Sequence, residues 1–161
     1  MDSVEFSHIN NKGSAIMVDV SGKTVTARKA TACGRIKMSG MCYDAVKNNA
    51  VKKGDVLSVS RVAGIMAVKR TSQFIPLCHN LNLTNCEVEF VFHDEDYEIE
   101  SVCCVRCEGQ TGVEMEALTG VSISLLTVYD MCKAIDKKMV IGQIYLKEKT
   151  GGKSGCFTFK E

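Results

Sequence analysis

The chain has 161 residues, of which 45% are hydrophobic and 24% charged, and its formal net charge at pH 7 is +1. This length and balance predict one globular domain spanning residues 1–161, in which the polar, turn-rich residues 1–23 form a partly mobile arm. So small a net charge excludes a general attraction to nucleic acid or to a membrane surface, and any bound anion must be held by a local cluster of cations.

The sequence shows no signal for export or membrane insertion. Residues 1–6 lack the basic region and apolar stretch of a secretory signal. The longest uncharged run, residues 117–129, is shorter than the roughly 20 apolar residues that span a bilayer. We therefore expect a cytoplasmic protein whose nine cysteines are mostly buried thiols. Cys104 and Cys107 form a C-x-x-C pair, but residues three apart on a strand point to opposite faces, so no zinc site is predicted.

The first half of the chain predicts a strand followed by two helices. Residues 24–38 are rich in β-forming residues, and residues 40–50 show a short, weak helical pattern. Asp55 has the side chain of a helix N-cap. Apolar residues recur at helical spacing from residue 59 to residue 67, so a longer helix begins after Asp55 and ends before Pro76.

The second half predicts a hairpin, a long helix and a final strand. Residues 81–92 and 99–107 alternate in polarity on either side of an acidic turn, as in an antiparallel hairpin. Residues 113–135 carry apolar side chains on every face of a helix, which predicts burial nearly all round. Residues 140–146 are a last strand, followed by the glycine-rich stretch 149–155. This order predicts an α+β fold, an antiparallel sheet with helices on one face.

Two pairs of charged residues lie on the long predicted helix. Asp130 and Lys133 are three residues apart on one face, and they form either a structural ion pair or an acid/base pair with tuned proton affinities. From the residues alone, the ion pair is the simpler interpretation. Glu114 and Glu116 lie near the helix N-terminus, where the helix dipole favours carboxylates. They point in different directions, so at least one of them can face a ligand.

Cys78 and His79 follow Pro76 and raise the question of cysteine catalysis or of a metal site. The side chains of adjacent residues usually diverge, so a Cys/His nucleophile pair is not favoured. No spacing of further ligands supports a metal site that would include these two residues.

Basic residues occur in three separate stretches, at 52–53, 69–70 and 149–153. Each stretch alone fits a solvated surface, and together they are the one means by which a near-neutral chain can hold a polyphosphate. The last stretch is not a P-loop, because Lys147 stands where that motif requires its first glycine. Its lysines and backbone amides can still bind an anion.

Seven short blocks, spread from about residue 8 to residue 157, resemble one known family. They are, in chain order, Met17-Val-Asp-Val-Ser, Lys53-Gly-Asp-Val, Ala63-Gly-Ile-Met-Ala-Val-Lys-Arg-Thr, Ile75-Pro-Leu-Cys-His, Thr111-Gly-Val-Glu-Met-Glu-Ala-Leu-Thr, Tyr129-Asp-Met-Cys-Lys-Ala and Lys149-Thr-Gly-Gly-Lys-Ser-Gly. Seven blocks at the family's order and spacing are far more specific than any single motif. By these blocks the chain resembles the molybdenum cofactor biosynthesis protein C family, the cyclic pyranopterin monophosphate synthases.

The resemblance implies a fold and an activity. The fold is ferredoxin-like α+β, assembled as a hexamer, a trimer of dimers, with active sites at subunit interfaces. The activity converts 3′,8-cyclo-7,8-dihydro-GTP, made by an upstream radical GTP cyclase, into cyclic pyranopterin monophosphate with release of pyrophosphate. This is an early step of molybdenum cofactor biosynthesis, and the resemblance implies that the chemistry needs no metal and no redox cofactor.

The resemblance also implies which residues form the site. The catalytic residues that it implies are Asp130 and Lys133. The substrate-binding residues that it implies are Leu77, Cys78, His79, Met115, Glu116, Glu114, Lys53, Lys69, Arg28 and Lys149. Acidic, basic and imidazole groups suit the proton transfers, and the lysines suit stabilisation of the departing pyrophosphate. Asn80 stands where the family usually has proline, which predicts a less rigid loop around His79.

Two other functions are consistent with the residues. The first is a non-catalytic purine-nucleotide-binding module that assembles into an oligomer, which a turnover assay distinguishes from an enzyme. The second is a structural oligomerising domain, which binding of a GTP analogue would exclude. The presence of both Asp130 and Lys133 favours the enzyme, and so do the scattered lysines, for which no nearby acidic partner is expected.

Overall fold

A five-stranded antiparallel sheet, covered by helices on one face, forms the body of the molecule. The computed structural model describes residue 9, residues 12–153 and residues 155–160. The elements are β1 (Thr26–Lys37), α1 (Gly40–Lys47), α2 (Val56–Val68), α3 (Thr71–Phe74), β2 (Leu83–His93), β3 (Glu98–Gly109), α4 (Glu114–Cys132), β4 (Val140–Thr150) and β5 (Phe157–Thr158). The strand order is β2-β3-β1-β4-β5. This confirms the predicted ferredoxin-like α+β fold.

Local sequence signals explain where the helices begin. Asp55 is the N-cap of α2, as predicted, and its carboxylate accepts a hydrogen bond from the Ser58 amide at 2.9 Å. Helix α2 ends at Val68, before Pro76 as predicted. The Thr71 hydroxyl, at the start of α3, donates to the Val68 carbonyl at 3.1 Å and so competes with continuation of the helix.

The predicted strands are confirmed, with longer limits for the last one. β2 and β3 form the expected hairpin, with Val88 opposite Cys103. β4 continues to Thr150, so the first two residues of the predicted glycine-rich stretch belong to a strand. Side chains on β3 alternate between the two faces, with Cys107 buried toward the helices and Cys104 on the other face. The two-residue strand β5 is too short to leave a sequence pattern.

The core lies between the sheet and the pair α2 and α4. These helices approach closely because Gly64 faces the Gly120 carbonyl, and a Cβ at residue 64 would lie 3.1 Å from that oxygen. Val121 and Leu125 of α4 are fully buried against the sheet. The prediction that α4 is buried nearly all round is wrong for the single chain, because Leu126 on its outer side is 54% exposed. The sheet and α2 cover one side of α4 and leave the other open.

The described residues before β1 form loops and turns. Ile9 and Ala15 form an isolated antiparallel bridge. The prediction of a partly mobile arm over residues 1–23 falls in part outside the described residues, which exclude residues 1–8, 10 and 11. Among the described residues, no helix combines the length and the apolar character that crossing a bilayer requires.

Candidate active site

One cluster of charges lies at the C-terminal end of α4. The Lys133 ammonium lies 2.7 Å from one carboxylate oxygen of Asp130, and the Lys53 ammonium lies 3.0 Å from the other. Lys53 also donates to the Asp130 carbonyl at 2.8 Å, where the helix dipole favours a cation. Hydrogen bonds from Lys133 and Lys53 lower the pKa of Asp130. The three side chains are about half exposed, so this ion cluster faces outward.

The surrounding loops hold this cluster in place. Lys53 lies in a turn closed by a hydrogen bond from the Gly54 amide to the Val51 carbonyl, and Gly54 has a φ of +100° that favours glycine. After α4, the Asp136 carboxylate accepts a hydrogen bond from the Ser39 amide at 2.8 Å. The Asp130 cluster therefore joins the turn ahead of α2 to the C-terminal end of α4, and Asp136 joins the residues after α4 to the start of α1.

A cavity of about 780 Å³ lies near the opposite, N-terminal end of α4. Its lining residues are Gly22, Lys23, Thr24, Thr26, Arg28, Gln110, Thr111, Gly112, Glu114, Lys149, Gly152 and Lys153. Four of these carry a cation and one a carboxylate. In a chain whose net charge is +1, this is the local concentration of positive charge that binding of an anion requires.

Two of the four cations of this cavity are held by specific contacts. The Lys149 ammonium lies 2.8 Å from the Glu114 carboxylate, and the Arg28 Nε donates to the Gly109 carbonyl at 2.8 Å. Gly152, with a φ of +74°, lies against the Arg28 guanidinium so closely that a Cβ would clash with it. The Thr26 hydroxyl, which also lines the cavity, is buried without a hydrogen-bond partner among the described residues. A bound anion would satisfy that hydroxyl.

A second cavity, of about 330 Å³, adjoins the first. Its lining residues are Val18, Val20, Lys23, Leu77, Cys78, His79, Leu81, Thr111, Gly112, Glu114, Met115 and Glu116. It shares Lys23, Thr111, Gly112 and Glu114 with the cationic cavity, so the two form one continuous site.

The titratable groups of the second cavity have unequal environments. Glu116 is only 4% exposed, and burial raises the pKa of its carboxyl. Burial also raises the pKa of the Cys78 thiol, which keeps the sulfur protonated and argues against its use as a nucleophile. The His79 Nε2 donates to the Val18 carbonyl at 2.8 Å. A buried carboxyl group and an imidazole therefore line the same cavity.

Lys69 and Asn80 lie beside this second cavity. Lys69 lines a small cleft together with His79 and Glu116. The Asn80 side-chain oxygen accepts a hydrogen bond from the Ser72 hydroxyl. The loop that lacks the family's usual proline is thus tied to α3 through Asn80.

The predicted site residues therefore fall into two groups within one chain. Arg28, Lys69, Leu77, Cys78, His79, Glu114, Met115, Glu116 and Lys149 line connected cavities, whereas Lys53, Asp130 and Lys133 form the other group. Sequence reasoning missed Lys23, Thr26 and Gln110, which lie outside the compared motifs. Lys153 was already indicated by the sequence, since it lies in the glycine-rich stretch whose lysines can bind an anion.

Comparison with known proteins gives matches along nearly the whole chain. The sequence model of the MoaC family matches residues 17–152. This chain belongs to the MoaC family. A cyclic pyranopterin monophosphate synthase of Clostridium botulinum (strain Alaska E43 / Type E3) is 55% identical over 153 residues, covering 95% of this chain and 96% of the relative. The enzyme of the same name from Bacillus thuringiensis (strain Al Hakam) is 54% identical over 157 residues, covering 96% and 98%.

The residues matched by the MoaC model include all twelve predicted site residues, from Arg28 to Lys149, and so include both groups of predicted site residues. The match begins at Met17, directly before the loop that carries Lys23 to the cationic cavity, and ends at Gly152, directly before Lys153.

Among the described residues, no group of three or more His, Cys, Asp or Glu side chains is arranged to hold a metal ion.

Proposed function

We propose that this MoaC-family chain is a cyclic pyranopterin monophosphate synthase. In this reaction 3′,8-cyclo-7,8-dihydro-GTP is converted into cyclic pyranopterin monophosphate, with release of pyrophosphate. One observation carries the proposal: a cavity with four cations adjoins, and shares four lining residues with, a cavity lined by a buried carboxyl and an imidazole. The substrate carries a negatively charged triphosphate on a ring derived from a base. It therefore needs cations for the triphosphate beside groups that exchange protons with the ring.

The cationic cavity would bind the triphosphate. Lys23, Arg28, Lys149 and Lys153 can donate charge-assisted hydrogen bonds to phosphate oxygens. As pyrophosphate leaves, negative charge develops on its oxygens, and fixed cations stabilise that charge. Glu114 holds the Lys149 ammonium at 2.8 Å and so orients it before a phosphate arrives.

The second cavity would bind the ring that is rearranged. Proton transfers to and from ring atoms need groups that exchange protons near neutral pH. The raised pKa of Glu116, caused by its burial, moves its carboxyl toward that range. The His79 imidazole lines the same cavity. Their chemistry supports roles for both residues in binding the ring and exchanging its protons.

We also propose that Asp130 and Lys133 act on substrate bound in the cavities of another subunit. Glu116 and Asp130 are both in α4, and a helical rise of about 1.5 Å per residue puts them about 21 Å apart. A single chain would leave the catalytic pair far from the ring, whereas a second copy can bring its own pair to the cavity mouth. Lys53 would accompany that pair.

An uncovered apolar surface supports such an assembly. Val59, Val62 and Met66 on the outer side of α2 are each about half exposed, and with Ser58 and Ala63 they line an open apolar groove. Leu126 of α4 is similarly exposed. Contiguous exposed apolar surface of this kind is typical of subunit contacts. We propose a homo-hexamer, a trimer of dimers, acting in the cytoplasm on the product of the upstream radical GTP cyclase.

The decisive experiment incubates the purified chain with 3′,8-cyclo-7,8-dihydro-GTP and identifies the products by mass spectrometry. We expect cyclic pyranopterin monophosphate and one equivalent of pyrophosphate. Tight binding of the substrate without turnover would instead identify a nucleotide-binding module. Failure to bind either the substrate or a GTP analogue would leave a structural domain as the function.

A further inference from the structure

The loop formed by residues 18–23, termed the strap, is a shared wall of both cavities. Val18, Val20 and Lys23 line the smaller cavity, and Lys23 also lines the cationic one. The strap runs as loop and turn ahead of β1. Its position over the cavities therefore depends on side-chain contacts rather than on pairing with the sheet.

The strap is folded internally as a compact turn. The Ser21 amide donates to the Asp19 carboxylate at 2.9 Å, and the Lys23 amide donates to the Val20 carbonyl at 2.9 Å. Such Asx and backbone turns fix the local shape of a loop. Lys23 is therefore carried by a preformed unit, and whatever anchors that unit decides where the Lys23 ammonium lies.

Gln110 anchors this unit to the floor of the site. Its Nε2 donates to the Lys23 carbonyl at 2.9 Å and to the Ser21 carbonyl at 3.2 Å. A primary amide has two N–H donors, which matches two carbonyl acceptors. Gln110 lies between the end of β3 and the start of α4, directly before Thr111 and Gly112, which line both cavities. His79 anchors the other end of the strap through the Val18 carbonyl.

We infer that Gln110 is a positioning residue: by fixing the strap, it sets Lys23 on the phosphates of the substrate. This inference rests on the function proposed above, because it takes the cationic cavity to be the polyphosphate site. Gln110 acts through Lys23 and does not itself react. Its amide hydrogen atoms are used on the two strap carbonyls.

The test measures pyrophosphate binding by titration calorimetry with the full chain and its variants. Gln110→Met has a side chain of similar length but neither donor nor charge. We expect it to weaken pyrophosphate binding about 5–20-fold, as loss of one well-placed cation would. Gln143→Met, an exposed residue of β4 away from the cavities, is the control and should bind like the parent chain.

A double-mutant cycle with Lys23→Ala separates positioning from a direct or general effect. If Gln110 acts through Lys23, Gln110→Met adds nothing to Lys23→Ala. Hydrogen exchange should accelerate at the strap amides in Gln110→Met and stay unchanged in Gln143→Met. Parent-like binding by Gln110→Met, or full additivity with Lys23→Ala, would overturn the inference and leave the proposed function intact. Absence of pyrophosphate binding by the parent chain would overturn the inference, and the turnover assay described above would then decide the proposed function on its own.

Discussion

Asp130 and Glu116 lie on the same helix, about 21 Å apart along its axis. Asp130 is exposed and held ionised by two lysines, whereas Glu116 is buried and its pKa is raised. The pKa values of the two carboxyl groups are thus shifted in opposite directions. Their separation prevents both groups from contacting one substrate molecule within a single chain. Because of this separation, the proposed chemistry requires that two subunits share each site. This requirement can be tested.

Two inactive variants should therefore complement each other. We expect Asp130→Asn and His79→Ala to be inactive as homo-oligomers, because each lacks one half of every site. Co-expressed chains that assemble at random should regain about a quarter of the parent activity, because one site in four combines two intact halves. Purified mixed oligomers carrying different tags provide the measurement. Mixed oligomers without activity would show that each chain completes its own site.

The proton-transfer role of Asp130 predicts a loss of turnover without a loss of stability. Asp130→Asn is nearly isosteric and removes the ionisable group, so we expect the rate to fall by at least about 10²-fold. The melting temperature should change little, since the side chain is 57% exposed. Asp94→Asn is a matched control, because Asp94 is also an exposed partner of a lysine. Parent activity in Asp130→Asn would refute the assignment.

Local patterns predicted most of the fold, because the features concerned depend on neighbouring residues. Asp55 as a helix cap and the alternation around residues 93–96 are properties of a few consecutive side chains, and both are confirmed. The openness of α4 around Leu126 was not predictable in this way. Burial of an apolar helix face depends on which elements cover it, and that is a tertiary property.

The site was predicted as a set of residues but not as an arrangement. Motif resemblance named Asp130 and His79 as members of one site without any information on their separation within the chain. Lys23 and Gln110 were missed because they lie outside the compared motifs. Their roles arise from a hydrogen bond between loops 87 residues apart in sequence, which no local pattern records.

The cationic cavity predicts a specific set of lysine and arginine effects. Arg28→Ala and Lys149→Ala should each weaken pyrophosphate binding by about 1–3 kcal/mol, the range for a lost charge-assisted contact. Lys47→Ala and Lys160→Ala, exposed and away from the cavity, should have little effect. Binding should also weaken as salt rises, since part of the attraction is screened. Titration calorimetry that gave equal small losses in all four variants would place the phosphate elsewhere.

The apolar groove on α2 predicts how the assembly can be broken. Val62→Glu puts a charge in the middle of the exposed groove, where burial in a contact would require desolvation. We expect light scattering to show a smaller species for Val62→Glu than for the parent chain. Glu95→Lys, a charge change at an exposed position in the turn between β2 and β3, should leave the mass unchanged. An unaltered mass in Val62→Glu would exclude this groove from the subunit contact.

The burial of Glu116 predicts a trade between stability and activity that depends on pH. Its pKa is raised in the folded chain by burial, so the folded state holds the proton more tightly than the unfolded state. Stability is therefore highest below the ordinary carboxyl pKa and falls as pH rises through the raised value, because the buried carboxyl must then ionise. A glutamine at this position cannot ionise and escapes that loss.

We therefore expect Glu116→Gln to melt at the parent temperature near pH 4 and at a higher temperature at pH 8. In a domain of this size, the melting temperature should rise by about 2–4 °C for each kcal/mol of desolvation free energy that the substitution removes. Glu89→Gln, at an exposed position on β2, should show no such pH-dependent gain. Turnover by Glu116→Gln should fall, because the group that exchanges protons with the ring is lost. A lower melting temperature for Glu116→Gln at pH 8 would mean that the ionised carboxylate stabilises the fold, and the proton-exchange role would then have to pass to His79.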